Sequence, residues 1–472
     1  MRALKLSEIA APLNGTYNKD AEFCGVCIDT RKITKNCLFV CIKGERFDAH
    51  QFAEEALKKG AAAVMVHENV DLSGAYIKVD DTSKALLALG GYYRSLFNIP
   101  VVALTGSVGK TTTKEFTNLV VSSKYKTVKT QGNLNNEIGL PQTLFQIDDD
   151  TEAAVVEMGM NHFGEIHRLV NATRPTLALI TNIGVSHIEN LGSREGILKA
   201  KLEILDGLSE GAPLIINGDN DMLATVLEND DICSKYNVIS FGIKNKFNYN
   251  AENIKEENGS TSFDVVYTVS KQIDETDGVK AEFSLCRQKI TIPTVGIHNV
   301  YNALAAFAVG ITLNIEPEKI ATALSSYVPT GMRQRLNTVG GRICIEDCYN
   351  ASPDSMRASL GTLGNMNANK KIAVLGDMLE LGDYSKEAHL SVGKMAGENN
   401  IDCVLAFGND AKYYVSAAKE NGVKDAVLFD DKTKLSDYLA SLAQDGDAVL
   451  FKGSRGMKLE DVMNTVYKRW EN

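Results

Sequence analysis

The stretch VVALTGSVGKTTTKEF, residues 101–116, constrains this chain more than any other. An apolar run ending at Thr105 has strand character, Gly-Ser-Val-Gly makes a turn, and a helix begins near Lys110. That order aims several backbone N–H groups at one point. The helix dipole adds positive potential there, so a polyphosphate fits. The longer loop G-x-x-x-x-G-K-[ST] would need a glycine at position 104. Leu104 stands there instead, and the first glycine is Gly106, giving the tighter G-x-x-G-K-T. Gly106, Ser107, Gly109, Lys110, Thr111 and Thr112 form the candidate cradle for ATP. Lys110 is placed to reach the β- and γ-phosphates, and the Thr111 hydroxyl to hold Mg²⁺. A plain glycine turn would explain the glycines but not the run Gly-Lys-Thr-Thr.

With 472 residues the chain has room for about three domains. Its formal net charge of −10 argues against nucleic acid as a partner. No segment approaches the roughly 18 apolar residues of a membrane span. The best candidate, residues 302–315, is short and contains Asn302, Thr312 and Asn314. The opening MRALKLSEIAAPLNG has no apolar h-region, so a cytoplasmic enzyme is expected. Nine cysteines, an odd number, suggest reduced thiols. CGVC followed by CLFVC could hold zinc. However, Cys37 and Cys41 bracket the strand-like LFV, where thiols act as small hydrophobes.

The expected fold class is α/β with three domains. Residues 1–98 form a small α/β domain, in which VCIDTRKITKNCLFV has a strand–turn–strand pattern. Residues 99–315 form a central phosphate-loop domain with a parallel sheet. Its strands include VVALTG, AAVVEMG, TLALITNIG, PLIING and NVISFG, with an antiparallel excursion over 245–292. Residues 316–472 alternate again (RICIEDC, KIAVLG, DCVLAFG, DAVLFD, DAVLFKG), as in a Rossmann-like doubly wound domain entered through a linker. Ligands of such sheets sit beyond the carboxyl ends of the strands.

The shortened loop TGSVGKTT resembles that of the Mur ligase family of ATP-dependent amide ligases. QGNLNNEIGLPQTL, VEMGMNHFGEI, NIGVSHIENLGSREGILKAKLEI, GIHNVYNALAAFAV, GMRQR and IEDCYNASPDSM are similar to further signatures of that family. Within it, GMNHFGEI, YNASPDSM and LGDMLELG resemble the branch that adds the terminal dipeptide. The resemblance implies small-molecule substrates, UDP-N-acetylmuramoyl-tripeptide and D-alanyl-D-alanine, with a monomeric enzyme acting in peptidoglycan precursor synthesis. It also implies ATP with Mg²⁺, two ions, held by Thr111, Glu157, His187 and Lys201. Lys201 carries a carbamate in this reading, which replaces an ammonium beside the metal with an anionic ligand. Composition alone makes Lys201 a solvated helix lysine. Lys199 lies roughly 200° around the helix, so both cannot face one metal.

By the same resemblance Asn302 touches the adenine edge, Asn299 supports the metal or loop region, and Asp347 helps seat the nucleotide. Arg333 reaches the γ-phosphate from the third domain. Arg335 stands where the family has an acidic residue, so the choice between Arg333 and Arg335 stays open. Thr30, Arg31 and Phe47 are candidate contacts for the UDP-sugar, although a charged hairpin surface accounts for them equally. Asn133, Asn135 and Asn136 are candidates for the nucleotide-peptide, and Asn350 and Ser352 for the dipeptide. Two rivals remain: a family ligase adding the third peptide residue, and a phosphate-loop nucleotide switch.

Overall fold

The strand Val101–Thr105 is buried along its whole length between Leu177–Ile180 and Ala153–Glu157, parallel to both. A strand covered on both faces needs an apolar residue at every position rather than alternation, which VVALT supplies. Val101 and Ala103 enter one core, Val102 and Leu104 the other. This structure, a computed structural model, describes residues 1–471 except 46, 245, 258, 276, 277 and 330, and not the side chains of 270–282. Arg46 of the candidate segment KGERFDAH therefore lies outside the described residues.

Among the described residues the central sheet has nine strands. From one edge they are Thr127–Lys129, Ala153–Glu157, Val101–Thr105, Leu177–Ile180, Pro213–Asn217, Asn237–Gly242, Tyr249–Glu257, Ser260–Glu275 and Gly278–Ile292. The last three are mutually antiparallel, and the others run parallel. One face is covered by Lys110–Ser122 and Ile297–Thr312, through Phe116, Val120, Leu304 and Phe307. Helix Pro317–Ser325 adds Ile320 and Leu324 to that same core. Sequence reasoning had placed this helix in the linker to the third unit. Its apolar stripe meets the central sheet because Gly310 leaves room for Ile320.

The other face meets the N-terminal unit. That unit holds a five-stranded sheet ordered Thr16–Tyr17, Ala75–Lys78, Ala63–Val66, Leu38–Val40 and Val26–Cys27. Val26–Cys27 and Leu38–Val40 are parallel and joined through the short turn helix Thr30–Lys32, so no hairpin forms there. Cys27, Cys37 and Cys41 are buried with Phe39 in a small apolar core. Helix Thr82–Ser95 joins the two units and shares one continuous core with Leu140, Leu144, Ile166 and Leu169.

The third unit is a six-stranded sheet in the order Arg335–Val339, Arg342–Asp347, Ala448–Lys452, Lys371–Gly376, Cys403–Phe407 and Asp425–Phe429. Its helices pack on both faces, with Leu360, Val392 and Tyr414 on one and Leu435, Leu439, Val462 and Val466 on the other. Arg335–Val339 is an antiparallel edge strand in a segment whose polar sequence has no strand pattern.

Arg94 ties the seam between the first two units. Its guanidinium is buried and donates to the carbonyls of Phe97 (2.6 Å), Thr173 (3.1 Å), Ile99 (3.3 Å) and Arg174 (3.4 Å). Arg94→Met leaves four carbonyls, two of them in fully buried contacts, without that donor. It should cost about 3 kcal/mol, seen as an earlier urea midpoint. An unchanged midpoint would show that the seam is held by apolar packing alone.

Candidate active site

Gly106 and Gly109 shape the loop. Gly106 has φ +156°, and a Cβ there would lie 1.9 Å from the Thr181 hydroxyl. Gly109 is left-handed (φ +79°), with the Asn302 amide oxygen 2.7 Å from where a Cβ would be. Helix Lys110–Ser122 then starts with no side chain capping it, so its first-turn N–H groups face the cavity unpaired by any cap. Asn182 braces the loop from the neighbouring strand end. Its side-chain oxygen accepts from the N–H groups of Val108 (2.9 Å) and Ser107 (3.1 Å). Lys110 Nζ folds back onto the carbonyl of Gly106 at 2.7 Å. Burial pushes its pKa down, opposed by Glu157 and aided by Arg333.

A cavity of about 420 Å³ opens over this loop, at the carboxyl ends of the central strands. Ser107, Gly109, Lys110, Thr111, Thr112, Glu157, His187, Asn299 and Asn302 line it from the central unit. Arg333, Asp347, Asn350, Ser352 and Lys452 line it from the third, so two sheets present their carboxyl ends to one space. Asn133, Asn135 and Asn136 complete one wall. Gly106 sits just behind the lining.

Glu157 ends its strand almost wholly buried. Asn135 Nδ2 donates to its Oε1 at 2.8 Å and the Thr111 hydroxyl approaches the same oxygen at 3.4 Å. Its Oε2 is buried without a hydrogen bond and faces the ammonium of fully buried Lys114 at 3.7 Å. A hydroxyl and a carboxylate with a bare oxygen make a hard donor set suited to Mg²⁺. Lys114 itself lies inside GKTTTKEF, but its helical position three residues beyond Thr111 gives no sequence signal of burial. It also pairs with Glu115 at 3.3 Å.

Lys201 is 2% exposed on helix Arg194–Leu202, behind the cavity wall. No carboxylate pairs with it among the described residues. Burial and the charge of Lys110 hold its pKa well below the usual lysine range. Lys199 is exposed and sits over the Phe163 ring at 5.9 Å. The helical turn thus separates the two lysines as the sequence geometry requires.

Asn302 and Asn299 share one face of helix Ile297–Thr312. The Asn302 oxygen accepts from the Thr113 hydroxyl (3.0 Å), and its amide donates to Asn299 (3.2 Å). Asn302 thus braces the helix that follows the loop, while Asn299 holds the Val295 carbonyl at 2.8 Å. Arg333 lies over the Tyr349 ring at 4.0 Å inside the cavity. Arg335 points away, 57% exposed and 3.9 Å from Glu346. Asp347 is buried, accepting from Lys452 Nζ (2.7 Å) and the Ser359 hydroxyl (2.6 Å).

Other candidates serve local structure. Ser352 caps helix Pro353–Asn365, and Asn136 accepts from the Gly139 N–H at 2.8 Å. Asn350 accepts from the N–H of Ala351. Thr30, Arg31 and Phe47 do not line the cavity. Arg31 is bidentate to Asp29 with an 86% exposed side chain, and Phe47 is 59% exposed, stacked on Phe52. Residues missed from sequence include Asn182, Lys114 and His298, whose Nε2 lies 2.7 Å from Gln334 Oε1 in the cavity wall. All three lie inside motifs recognised there, but only their side-chain directions reveal them.

Comparison with known proteins follows the same three-unit order. "Mur ligase family, catalytic domain" matches residues 22–90, "Mur ligase middle domain" 104–310, and "Mur ligase, glutamate ligase domain" 334–455. The UDP-N-acetylmuramoyl-tripeptide–D-alanyl-D-alanine ligase of Bacillus subtilis is 40% identical over 93% of this chain and 92% of its own length. The Escherichia coli enzyme of that name is 36% identical over 99% of each. A crystal structure of MurF from Acinetobacter baumannii superposes with a TM-score of 0.88 at 30% identity, covering 99% of both chains. MurF ligase from Thermotoga maritima, solved in complex with ADP, gives 0.82 at 28% identity over 95% of this chain and 98% of that one. No helix among the described residues is long and apolar enough to cross a membrane. With relatives of this identity matched from end to end, and with the short glycine loop set at the meeting of two sheets, the chain belongs to the Mur ligase family.

Proposed function

We propose that this chain uses ATP to join D-alanyl-D-alanine to UDP-N-acetylmuramoyl-tripeptide, releasing ADP and phosphate. The observation that carries the reading is the cavity where an uncapped helix N-terminus, Lys110, Arg333 and Glu157 converge from two units. Two full-length curated relatives bear that activity in their names.

A carboxylate is a poor electrophile and must be activated. In this reading a terminal oxygen of the tripeptide attacks the γ-phosphorus and ADP departs, leaving an acyl-phosphate. The dipeptide amine then adds to the acyl carbon. The tetrahedral species expels phosphate and loses the amine proton, giving the amide. Loop N–H groups and Lys110 hold the transferring phosphoryl, with Arg333 approaching from the third unit. Asp347 keeps Lys452 in place at the same wall. The third unit also screens the acyl-phosphate from water. Thr111, Glu157, His187 and a carbamylated Lys201 would hold two Mg²⁺, which supply charge neutralisation between two anionic reactants.

The carbamate rests on the burial of Lys201. An ammonium with no carboxylate partner is costly to bury, whereas the neutral amine can add to carbon dioxide, losing a proton to become an anion. Thr30 and Arg31 on the turn helix and the exposed Phe47 in the loop after Leu38–Val40 are assigned to the UDP end of the substrate. Asn133, Asn135, Asn136, Asn350 and Ser352 are assigned to the peptide side. Asn299, Asn302 and Asp347 are assigned to the nucleotide side. A monomer is assigned, and a UDP-linked substrate fits the cytoplasm.

Two experiments test this. Supplying ATP, UDP-N-acetylmuramoyl-tripeptide and D-alanyl-D-alanine together should yield a new amide product by mass spectrometry, with phosphate release depending on all three. Phosphate release independent of the acyl partners would instead mark a nucleotide switch. Lys201→Ala should lose activity and regain part of it with short carboxylic acids. Full activity without them would remove the carbamate.

A further inference from the structure

His187 and Glu380 meet across the boundary between the central and third units, and both adopt backbone conformations that side chains other than glycine rarely take. His187 has φ +64° at the start of helix Ile188–Leu191, and Glu380 has φ +64° in the loop following strand Lys371–Gly376. Strained residues of this kind persist where the surroundings over-determine them, and they cluster at functional sites. The Glu380 loop is fixed by the three residues before its strained residue. Met378 N–H donates to His389 Nε2 (3.1 Å) and Leu379 N–H to the Ser454 hydroxyl (2.9 Å). Asp377 in turn accepts from the N–H of Asn409 at 2.8 Å. Gly382, two residues on, packs against the Glu189 side chain of the central unit.

This fixed loop holds the Glu380 carboxylate 3.1 Å from His187 Nδ1. That nitrogen is buried and makes no hydrogen bond of good geometry, so Glu380 is the acceptor within its reach. Glu380 itself is 64% exposed and supports no core packing, so packing does not account for its position.

We infer that Glu380 is a positioning residue for His187: its carboxylate takes the Nδ1–H and so leaves Nε2 presented to the cavity. Histidines that hold metals commonly give their second N–H to a carboxylate, which sets the tautomer and the ring direction. Here the carboxylate comes from a different unit. Docking of the third unit would then complete the cation site as well as deliver Arg333, and metal affinity would be coupled to the arrangement of the units. The inference rests on the reading of His187 as a cation ligand.

The test is Mn²⁺ binding to the full-length protein with ADP present, followed by electron paramagnetic resonance, for wild type, Glu380→Ala, Glu380→Gln and His187→Ala. Glu380→Ala should weaken Mn²⁺ by about tenfold or more, the usual effect of losing such a partner. Glu380→Gln, whose amide oxygen can accept the same N–H, should stay closer to wild type. In ¹⁵N spectra the His187 ring should be Nδ1-protonated in wild type and lose that preference in Glu380→Ala. If His187→Ala weakens Mn²⁺ while Glu380→Ala stays within about twofold of wild type, the positioning role is overturned and His187 remains a ligand. If neither variant changes Mn²⁺ affinity, the ligand reading of His187 falls too.

Discussion

An uncapped helix start and an under-bonded buried carboxylate lie side by side in this protein. The first turn of helix Lys110–Ser122 presents N–H groups without a cap, and beside it Glu157 keeps one buried oxygen without a hydrogen bond. Such groups are expensive to bury unpaired. A polyphosphate with a divalent cation would satisfy both in the reading proposed above, the loop N–H groups meeting the phosphate and Thr111 with Glu157 holding the cation. The surrounding residues hold these two groups in place. Asn182 and Asn302 brace the loop, Asn135 orients Glu157, and Lys114 balances its charge from below.

The second constraint is division of labour between units. The central sheet binds, and the third unit brings Arg333 and Lys452 to the same space from the carboxyl ends of its own strands. The physics of phosphate binding at the loop is the same in a ligase and in a switch. The distinction comes from the opposing wall, where Asp347, Lys452 and Ser359 form a buried, hydrogen-bonded group that fixes the wall's shape. The N-terminal unit is bonded to the central one through a shared apolar core and Arg94, whereas the third unit is built on cores of its own.

Much of this was legible in the sequence because the informative signals are local. A five-residue apolar strand, a glycine turn and a lysine-threonine pair specify the loop from neighbouring residues alone. The doubly wound third sheet followed from strand–helix alternation. What stayed hidden depends on direction across long separations. Arg333 and Arg335 cannot be ranked by spacing, yet one stacks on Tyr349 within the cavity and the other lies at the sheet edge. Spacing puts Asn299 and Asn302 on one helix face, but only the fold shows that Gly109 brings the loop against Asn302. Lys114 reads as an ordinary helix lysine until the strand carrying Glu157 is placed next to it. Val26–Cys27 and Leu38–Val40 are too short to reveal their parallel pairing, so the turn between them resembled a hairpin.

The central claim is that the cavity turns a carboxylate into a mixed anhydride before any amide forms. It is tested most directly by labelling the terminal carboxylate of UDP-N-acetylmuramoyl-tripeptide with ¹⁸O and running the reaction with ATP and D-alanyl-D-alanine. The account predicts inorganic phosphate carrying one ¹⁸O from the peptide. Phosphate free of label, with amide still formed, would contradict it.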